Sequence, residues 1–496
     1  MPNTPQDLFP VPTPSPSRLS PAYWPGISHE STQVLRASLK ENHEKFHVFF
    51  SPKGFHNHLA HYLLALWAMG ADHDIIKAAY QHDSAHQLPA FESPEAITAE
   101  HFRDHLGDEK FYNAYLKFFT EAIQSKGVWA VLEEYIFDQK ANFDGSDKAQ
   151  PEMLNRFLDG LLHPMIHAGY GVEFGLPGTV VEGLASAAVH KASATAILPA
   201  SLWASKPVSA LESLTSRIPS ALTLESSVST SPSKNVHAFT ILARILNDHQ
   251  FEDVEKREDI GIFTKTVEKH SAALNMYVKE WTFDSSHPKE VERKIEELVW
   301  ANVIIYGIGG WTKGEDFNSD FFYMHLVTSS LFLSSITANL KPASQELLLR
   351  GYFVECLAWW IGRGRPAFDI AAFFEADTAY PTPPGPFPAP HAKSLPSPTS
   401  PKATTANPWL PIIQSSLVVP DDHLPKLQRA LAHYGSLYGT RAPGQPDFAE
   451  TELPFAEKLD GSLFIRTAGL TNQRLLRVRD DVDVFRFWDR KGFYKL

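Results

Sequence analysis

Apolar residues recur at intervals of three and four through most of this chain, and this spacing constrains the fold more than any other feature. It lines one face of an α-helix with apolar side chains, whereas almost no stretch alternates with the period of two of a β-strand. The clearest helical stretches are residues 58–71, 108–124, 151–171, 271–281 and 287–307. The pattern predicts a mainly α protein, large and with a single helical core, carrying Ser/Pro-rich insertions and a helical C-terminal segment.

Segments rich in proline, serine and threonine interrupt the helical pattern and suggest domain boundaries. Residues 1–30 are predicted to form a disordered arm. A main helical domain is expected over residues 31–375, with a flexible insertion at about 205–235. Residues 376–408 are predicted to be a Pro-rich linker, because proline lacks an amide donor and fixes φ. Apolar residues return over residues 409–496, which we expect to pack on the main domain.

Charge and cysteine content narrow the classes of function. The 45 basic and 57 acidic residues give a formal charge of −12 without a long basic run, which argues against a nucleic-acid partner or an anionic membrane surface. The N-terminus lacks the basic and apolar regions of a secretory signal, and no apolar run reaches the length of about 18 residues that suggests a membrane span. The single cysteine, Cys356, predicts a reducing, cytoplasmic location and no thiolate metal site.

The 22 histidines are spread unevenly, and several stand within strongly apolar helical stretches. His58 with His61, and His163 with His167, have the spacing that places two imidazoles on one helical face. His325 lies in another apolar stretch, in a narrow polar stripe with Thr328. Buried imidazoles at this density predict a metal site that suits iron, copper or zinc. The alternative for each residue is a hydrogen-bonded histidine of the core.

Two further features bear on this hypothesis. Pro164 removes a helical hydrogen bond, so we expect a kink beside His163, eased by the small Gly160. Five other histidines are surrounded by charged residues and are predicted to lie on the surface: His101, His105, His249, His270 and His287.

A second group of residues indicates a different chemistry, metal-dependent hydrolysis. His61 followed by the pair His82–Asp83 loosely imitates the HD-type phosphohydrolases, in which histidines and aspartates hold metals that activate water. The glycines of residues 307–311 lack the preceding strand and the later acidic residue of a dinucleotide fingerprint, so a turn after a helix is expected there. The sequence contains neither a G-x-S-x-G elbow nor a P-loop.

Several longer motifs resemble the fungal questin oxidase-like family. They are HNHLAHYLLALWAMGA, LLHPMIHAGYGVEFG followed by EGLA, DFFYMHLVTSS, LLLRGYFVECLAWWIGRGRP, DDHLPKLQRAL and a final W-x-x-K-G-F. The resemblance extends over about residues 55–493. It implies an oxidoreductase of fungal secondary metabolism that inserts oxygen into, or cleaves, a ring of an aromatic polyketide such as an anthraquinone, in a Baeyer–Villiger-type reaction.

The resemblance also implies a mononuclear non-heme iron(II) centre with dioxygen as co-substrate. Its ligands would come from His58, His61, His163, His167 and His325. In this family a lysine from a late helix can complete the metal sphere, but residues 347–363 contain none, and Glu355 and Tyr352 are the nearest substitutes.

The resemblance leaves the residues around the metal less well defined. Glu173 would orient a ligand imidazole or accept hydrogen bonds at a helix end. Aromatic side chains near the motifs would stack on a flat substrate or simply fill the core: Phe55, Tyr170, Phe174, Trp311, Phe321 and Phe322. Two alternatives remain open, an NADPH-dependent Baeyer–Villiger-type oxidase and a helical interaction protein without catalysis.

Overall fold

The structure is a computed structural model of the 496-residue chain. It describes residues 7–51, 54–146, 149–204, 235–252, 254, 256, 261–377, 381, 389–395, 397–476 and 487–494. Most of the predicted insertion at 205–235 lies outside these residues, as do parts of the predicted linker at 376–408.

Helices account for the regular structure of the described residues. Their bounds are α1 His29–Lys45, α2 Leu59–Ala68, α3 His73–Ser84, α4 Tyr112–Lys126, α5 Val128–Leu132, α6 Met153–Phe174, α7 Pro177–Val189, α8 Ser201–Ala204, α9 Ala238–Asn247, α10 Gly261–Glu280, α11 Pro288–Val303, α12 Phe321–Ser330, α13 Leu333–Thr337, α14 Pro342–Gly362, α15 Ile370–Glu375, α16 Trp409–Ser416, α17 Leu424–Tyr438, α18 Pro446–Ala449 and α19 Ser462–Leu476. β-structure in this part of the chain is limited to isolated bridges. The prediction of a mainly α protein is confirmed.

Three of the helices lie entirely in the interior. Every residue of α2, α7 and α12 is buried, because these stretches carry apolar side chains on all sides and gain free energy by leaving water on all sides. Helix α6 packs against α7 over much of its length and also touches α2, α12 and α14. One contiguous cluster of buried apolar residues joins these helices, which confirms the predicted single core.

The N-terminal segment differs from the predicted disordered arm. Phe9 is 4% exposed and lies in the main core. The Thr13 amide donates to the carbonyl of Phe174 at 3.0 Å, and the Gly178 amide donates to the carbonyl of Leu8 at 2.8 Å. Prolines prevent a helix over this segment, but they leave carbonyl groups and side chains free to pack. Residues 8–13 therefore lie against α6 and α7, and the Trp24 amide donates to the Ala68 carbonyl at the end of α2.

Helices from the C-terminal segment also reach the interior. Helix α17 packs against α2 and α12, and α19 packs against α17. Helix α17 thus brings a segment more than 350 residues distant in sequence from His61 to the helix that carries it, and also contacts the helix that carries His325. In the part of the chain that the structure describes, no helix is long and apolar enough to cross a membrane.

Candidate metal centre

Three histidines from three separate motifs converge inside the protein. His58 precedes α2, His163 lies in α6 and His325 lies in α12, and one nitrogen of each lies within 4.8 Å of the other two. The Nε2 atoms of His58 and His163 are 2.7 Å apart. The ring centroids of His163 and His325 are 4.9 Å apart. The structure therefore brings together three of the five predicted ligands.

A break in α6 positions His163. The backbone from Asp159 to Leu162 leaves helical geometry, and Gly160, Leu161 and Leu162 have φ values of 56°, 60° and 68°. The left-handed region is unfavourable for leucine, so this turn holds backbone strain of the kind found at functional sites. The sequence predicted a kink from Pro164, and the break immediately precedes that proline. The carbonyl of Gly160 then accepts a hydrogen bond from Nδ1 of His163 at 2.6 Å.

Each of the three rings uses its Nδ1 atom for such a hydrogen bond. His58 Nδ1 donates to the carboxylate of Asp422, and His325 Nδ1 donates to the carbonyl of Phe321 at 2.8 Å. Because carbonyl and carboxylate oxygens only accept, all three Nδ1 atoms carry hydrogen. In the neutral rings the Nε2 atoms therefore present lone pairs, and this orientation of histidines by a second hydrogen bond is usual around metals.

Electrostatics keeps these rings neutral. Burial lowers the pKa of His163 well below its ordinary value, and the nearby His56 and His58 lower it further. Burial likewise lowers the pKa of His325 well below its ordinary value, with His423 and Lys426 adding to the effect. Neutral imidazole is the form that binds a metal ion.

Three residues of the motif DDHLPKLQRAL join this site, and none of them was predicted as a site residue. Asp422 accepts from His58, from His423 Nδ1 at 2.9 Å and from Lys426 Nζ at 3.2 Å. His58, Asp422 and His423 form a second group of potential ligand atoms within 4.8 Å of one another. Burial raises the pKa of Asp422, but His423, Lys426 and His58 outweigh burial and leave the pKa well below its ordinary value. The carboxylate is therefore ionised.

Lys426 is a lysine of a late helix, outside residues 347–363. It lies in α17 instead, with its side chain 5% exposed. The sequence signal for these site residues is a pair of aspartates followed by a histidine at the start of a helix, with a lysine one helical turn later.

His61 and His167 face other partners. His167 Nε2 bonds with the Glu182 carboxylate at 2.6 Å, and the same carboxylate bonds with His43 Nδ1 at 2.8 Å. The His61 ring stacks on Tyr170 with centroids 5.1 Å apart, and its buried Nε2 has no hydrogen-bond partner within the described residues. The His61 ring centroid lies 5.6 Å from that of His58. His61 borders the cluster, whereas His167 is engaged by Glu182.

The residues proposed to surround the metal are mostly placed elsewhere. Glu173 forms a buried ion pair with Arg429, so it neither orients a ligand imidazole nor accepts at a helix end. Trp311 packs edge-on against Phe373 with centroids 5.5 Å apart. Both side chains therefore contribute to tertiary packing, since each contacts a residue that is remote in sequence.

Glu355, Tyr352 and Thr328 are likewise buried outside the cluster of ligand atoms. Burial, with Asp159 nearby, raises the pKa of Glu355 well above its ordinary value. The Tyr352 hydroxyl bonds with Asn302 and Ser329 at 2.9 and 2.8 Å. The Thr328 hydroxyl donates to the backbone carbonyl of His325 at 3.3 Å. These contacts stabilise α12 and α14, and Glu355 belongs to neither group of potential ligand atoms among the described residues.

The surface prediction is correct for three of the five histidines, whereas His105 is half-buried, with its side chain 25% exposed, and His270 is buried. The side chains of His101, His249 and His287 are 66%, 89% and 70% exposed. His270 is only 5% exposed, and its ring lies 5.1 Å from that of Phe251. Its charged neighbours in sequence point away, because residues on one helix face opposite sides.

A cavity of about 1370 Å³ opens onto the cluster. His58, His163 and His423 line it, and its aromatic lining residues are Phe49, Phe50, Phe55, Phe263, Phe321, Trp359 and Trp488. Of the aromatic residues proposed to stack on a substrate, Phe55 and Phe321 line this cavity. Tyr170, Phe174 and Phe322 are buried in the core.

The His82–Asp83 pair also borders the cavity, with a hydrogen bond of 2.9 Å between the two side chains. Neither residue belongs to the groups of potential ligand atoms found among the described residues. The phosphohydrolase arrangement requires His61 and this pair to hold one metal, so the geometry favours the cluster around His58 instead.

The donor set suits a transition metal. The buried Nε2 atoms of His325 and His423 have no hydrogen-bond partner within the described residues, although leaving such an atom unpaired costs about 1–3 kcal/mol. Neutral imidazole nitrogens bind iron, copper and zinc. A metal ion at the cluster would satisfy these atoms.

Comparison with known proteins identifies relatives. Oxidoreductase AflY of Aspergillus parasiticus is 35% identical over 190 residues, which cover 36% of this chain and 37% of that protein. A Baeyer–Villiger oxidase of Pestalotiopsis microspora is 28% identical over 358 residues, 70% of this chain and 74% of the relative. Questin oxidase of Aspergillus terreus is 23% identical over 412 residues, 79% of this chain and 78% of the relative.

The match to AflY thus spans little more than a third of that relative, whereas the other two matches span about three quarters. The names of all three describe oxidation chemistry, and the chain is an oxidoreductase. Residues 55–431 match the family model described as questin oxidase-like. Because this match covers most of the 496 residues and includes every residue of the histidine cluster, the chain belongs to the questin oxidase-like family.

Proposed function

We propose that this chain oxidises a flat aromatic polyketide at a single iron(II) ion held by His58, His163 and His325, with His423 as a further ligand. The reaction would open the ring with both oxygen atoms entering the product, or insert one oxygen atom beside a ring carbonyl while two electrons from the substrate itself reduce the other atom to water. The names of the relatives support the reaction class, and the size and aromatic lining of the cavity support a flat substrate. Dioxygen would be the co-substrate.

One observation carries the proposal. The Nε2 atoms of His58 and His163 face each other at 2.7 Å, although Nδ1 of each ring already carries the hydrogen. Two lone pairs at this distance repel each other unless a cation lies near both. A proton would serve only by charging one ring, and burial lowers the pKa of both histidines. A metal ion relieves the repulsion without protonation.

The protein's own residues would prepare the site for this chemistry. Asp422 orients His58 and His423 together, since one carboxylate accepts a hydrogen bond from each ring. The Gly160 carbonyl orients His163. These fixed hydrogen bonds reduce the reorganisation needed when a ligand binds. Phe321 packs against His325 and His423 at 4.8 and 5.0 Å between centroids and provides an apolar wall beside them.

Iron bound here would supply the redox chemistry that lets dioxygen react with a closed-shell aromatic molecule. The cavity walls would exclude water from the reacting ring and hold it flat by stacking. Lys426 would balance the charge of Asp422, because its ammonium lies 3.2 Å from that carboxylate. The cytoplasm remains the proposed location, on the basis of the single cysteine, Cys356, which is free and buried.

The test is metal analysis followed by turnover with an anthraquinone. Protein prepared anaerobically and loaded with iron(II) is expected to bind about one ion per chain and to consume dioxygen without NADPH. Zinc-loaded protein is the control, because zinc fills imidazole sites but has no redox activity. Failure to bind any transition metal, or equal turnover by metal-free protein, would overturn the proposal. Strict dependence on NADPH would favour the alternative oxidase.

A further inference from the structure

The C-terminal motif W-x-x-K-G-F contributes a positive charge to the cavity wall. Trp488 and Arg490 both line the cavity, and the Arg490 guanidinium lies over the Phe321 ring, 4.0 Å from its centroid. Phe321 in turn packs edge-on against His325 and His423, with centroids 4.8 and 5.0 Å away. The guanidinium is thus separated from the histidine cluster by one aromatic ring.

The neighbouring arginines have carboxylate partners, whereas Arg490 has none among the described residues. Arg363 forms a buried ion pair with Asp320 at 2.7 Å, and Arg474 pairs with Asp489 at 2.9 Å. Among the described residues, the Arg490 guanidinium makes no hydrogen bond or ion pair. Burial lowers the pKa of Arg490, Asp320 raises it and Arg363 lowers it. Asp320 and Asp489, the carboxylates described near Arg490, already have arginine partners, so neither forms an ion pair with Arg490 in the described structure.

Two acidic residues of the cavity wall, Asp421 and Asp422, are also engaged by other groups. Asp422 is held by His58, His423 and Lys426. Asp421 accepts from Trp488 Nε1 at 3.0 Å and from the backbone amide of Leu424 at 2.7 Å. These hydrogen bonds keep both carboxylates on the side of α17. Within the described structure, the guanidinium is therefore left as a donor without a carboxylate partner at the cavity wall.

The backbone around Arg490 is firmly held. The Phe321 amide donates to the Asp489 carbonyl at 2.9 Å, and the Asp489 amide donates to the Ser319 carbonyl at 3.0 Å. Arg363 donates to the carbonyl of Arg490 at 2.7 Å. The stacked guanidinium therefore loses little conformational entropy when it binds a ligand, and its planar edge suits two hydrogen bonds to one anionic group.

We propose that Arg490 binds an anionic oxygen of the substrate, an aryl carboxylate or an aryl oxide, and so directs the aromatic ring across Phe321 toward the histidine cluster. Arg490 would be a specificity-determining residue for acidic aromatics. This inference rests on the proposed function only in placing the substrate in this cavity. It requires no metal, so it can be tested with metal-free protein.

The experiment measures binding of three probes to full-length metal-free protein by calorimetry. They are anthraquinone-2-carboxylate, its methyl ester, and 2-hydroxyanthraquinone below and above the pKa of its hydroxyl. Charged hydrogen bonds are worth about 1.5–3 kcal/mol, so we expect the carboxylate to bind about 10–100-fold tighter than the ester. The Arg490→Gln variant should lose this preference while its affinity for the ester stays unchanged. The hydroxy probe shows whether an aryl oxide is bound as well.

Two matched variants complete the design. Lys491→Gln removes the same charge from the next residue, whose side chain is exposed and does not line the cavity, so the carboxylate preference should persist. Arg490→Lys keeps the charge without the planar fork and should retain part of the preference, even if Arg490→Gln fails to fold. Equal binding of carboxylate and ester to the wild type would overturn the inference. An equal loss of both in Arg490→Gln would also overturn it, since packing alone would then explain the effect. Absence of metal binding would refute the proposed function without changing these results.

Discussion

Gly160 leaves the space that His190 occupies. A Cβ atom on Gly160 would lie 2.4 Å from Cε1 of His190, and Gly160 has a φ of 56°. The same glycine supplies the carbonyl that orients His163. One residue thus joins the break in α6, the packing of His190 and the tautomer of a candidate ligand.

We expect Gly160→Ala to destabilise the protein by more than the cost of its backbone conformation. The left-handed region alone costs about 1 kcal/mol for alanine, and the contact with His190 adds to it. Gly314→Ala is the control, because Gly314 has a φ of 83° with nothing near its missing Cβ. Urea unfolding measures both. In the double variant Gly160→Ala/His190→Ala, the destabilisation caused by the contact with His190 should vanish. If the changes in the free energy of unfolding of the two single variants simply add up in the double variant, this explanation is contradicted.

Replacing His163 or His325 by alanine should abolish metal binding while helix content is retained, because each contributes a nitrogen to the cluster. A purely structural role predicts instead a destabilisation of about 1–3 kcal/mol with metal content preserved. Elemental analysis and circular dichroism separate these outcomes. His101→Ala is the control, since this exposed ring bonds only with Asp104 at 3.1 Å in the described structure. Equal metal content in all three variants would refute the site.

Asp422→Asn should weaken metal binding about 10–100-fold, the usual effect of removing a residue that orients a metal-binding histidine. The neutral asparagine amide cannot balance the positive charge of Lys426. Its oxygen also accepts weaker hydrogen bonds from His58 and His423 than a carboxylate does. Titration with cobalt(II), followed by its absorption, measures the affinity without any turnover. Asp104→Asn removes a surface carboxylate and should leave the affinity unchanged. An unchanged affinity in Asp422→Asn would show that the rings are oriented without it.

Stability should fall as the pH falls from 6.5 toward 4, in part because of His433. Burial lowers the pKa of this ring to about 4, although its hydrogen bond to the Leu19 carbonyl at 2.8 Å raises it. The unfolded chain therefore takes up the proton first, at about pH 6.5, and the ring contributes on the order of 3 kcal/mol to the loss of stability. His433→Gln keeps a donor for Leu19 but does not titrate, so its stability should depend less steeply on pH over this range. Identical slopes in urea unfolding would contradict this assignment.

The sequence by itself determined the helical class, the single core and the motifs that supply the site. Apolar spacing decides these features locally, because a stretch that is apolar on all sides must be buried wherever it packs. His58, His163 and His325 were identified in this way, and the kink near Pro164 followed from the missing amide of proline. The family followed from motifs that are contiguous in sequence.

Tertiary structure decided which nitrogen atoms meet, because the partner that orients each ring can stand anywhere in the chain. Asp422 is 364 residues from His58, and Glu173 meets Arg429 at a separation of 256 residues. His163 and His167 are one helical turn apart, yet Glu182 engages only His167. Helical spacing gives the face on which a histidine lies, but the hydrogen bond to its Nδ1 decides whether its Nε2 points to the site. That choice depends on packing between α2, α6, α12 and α17, which no local pattern encodes.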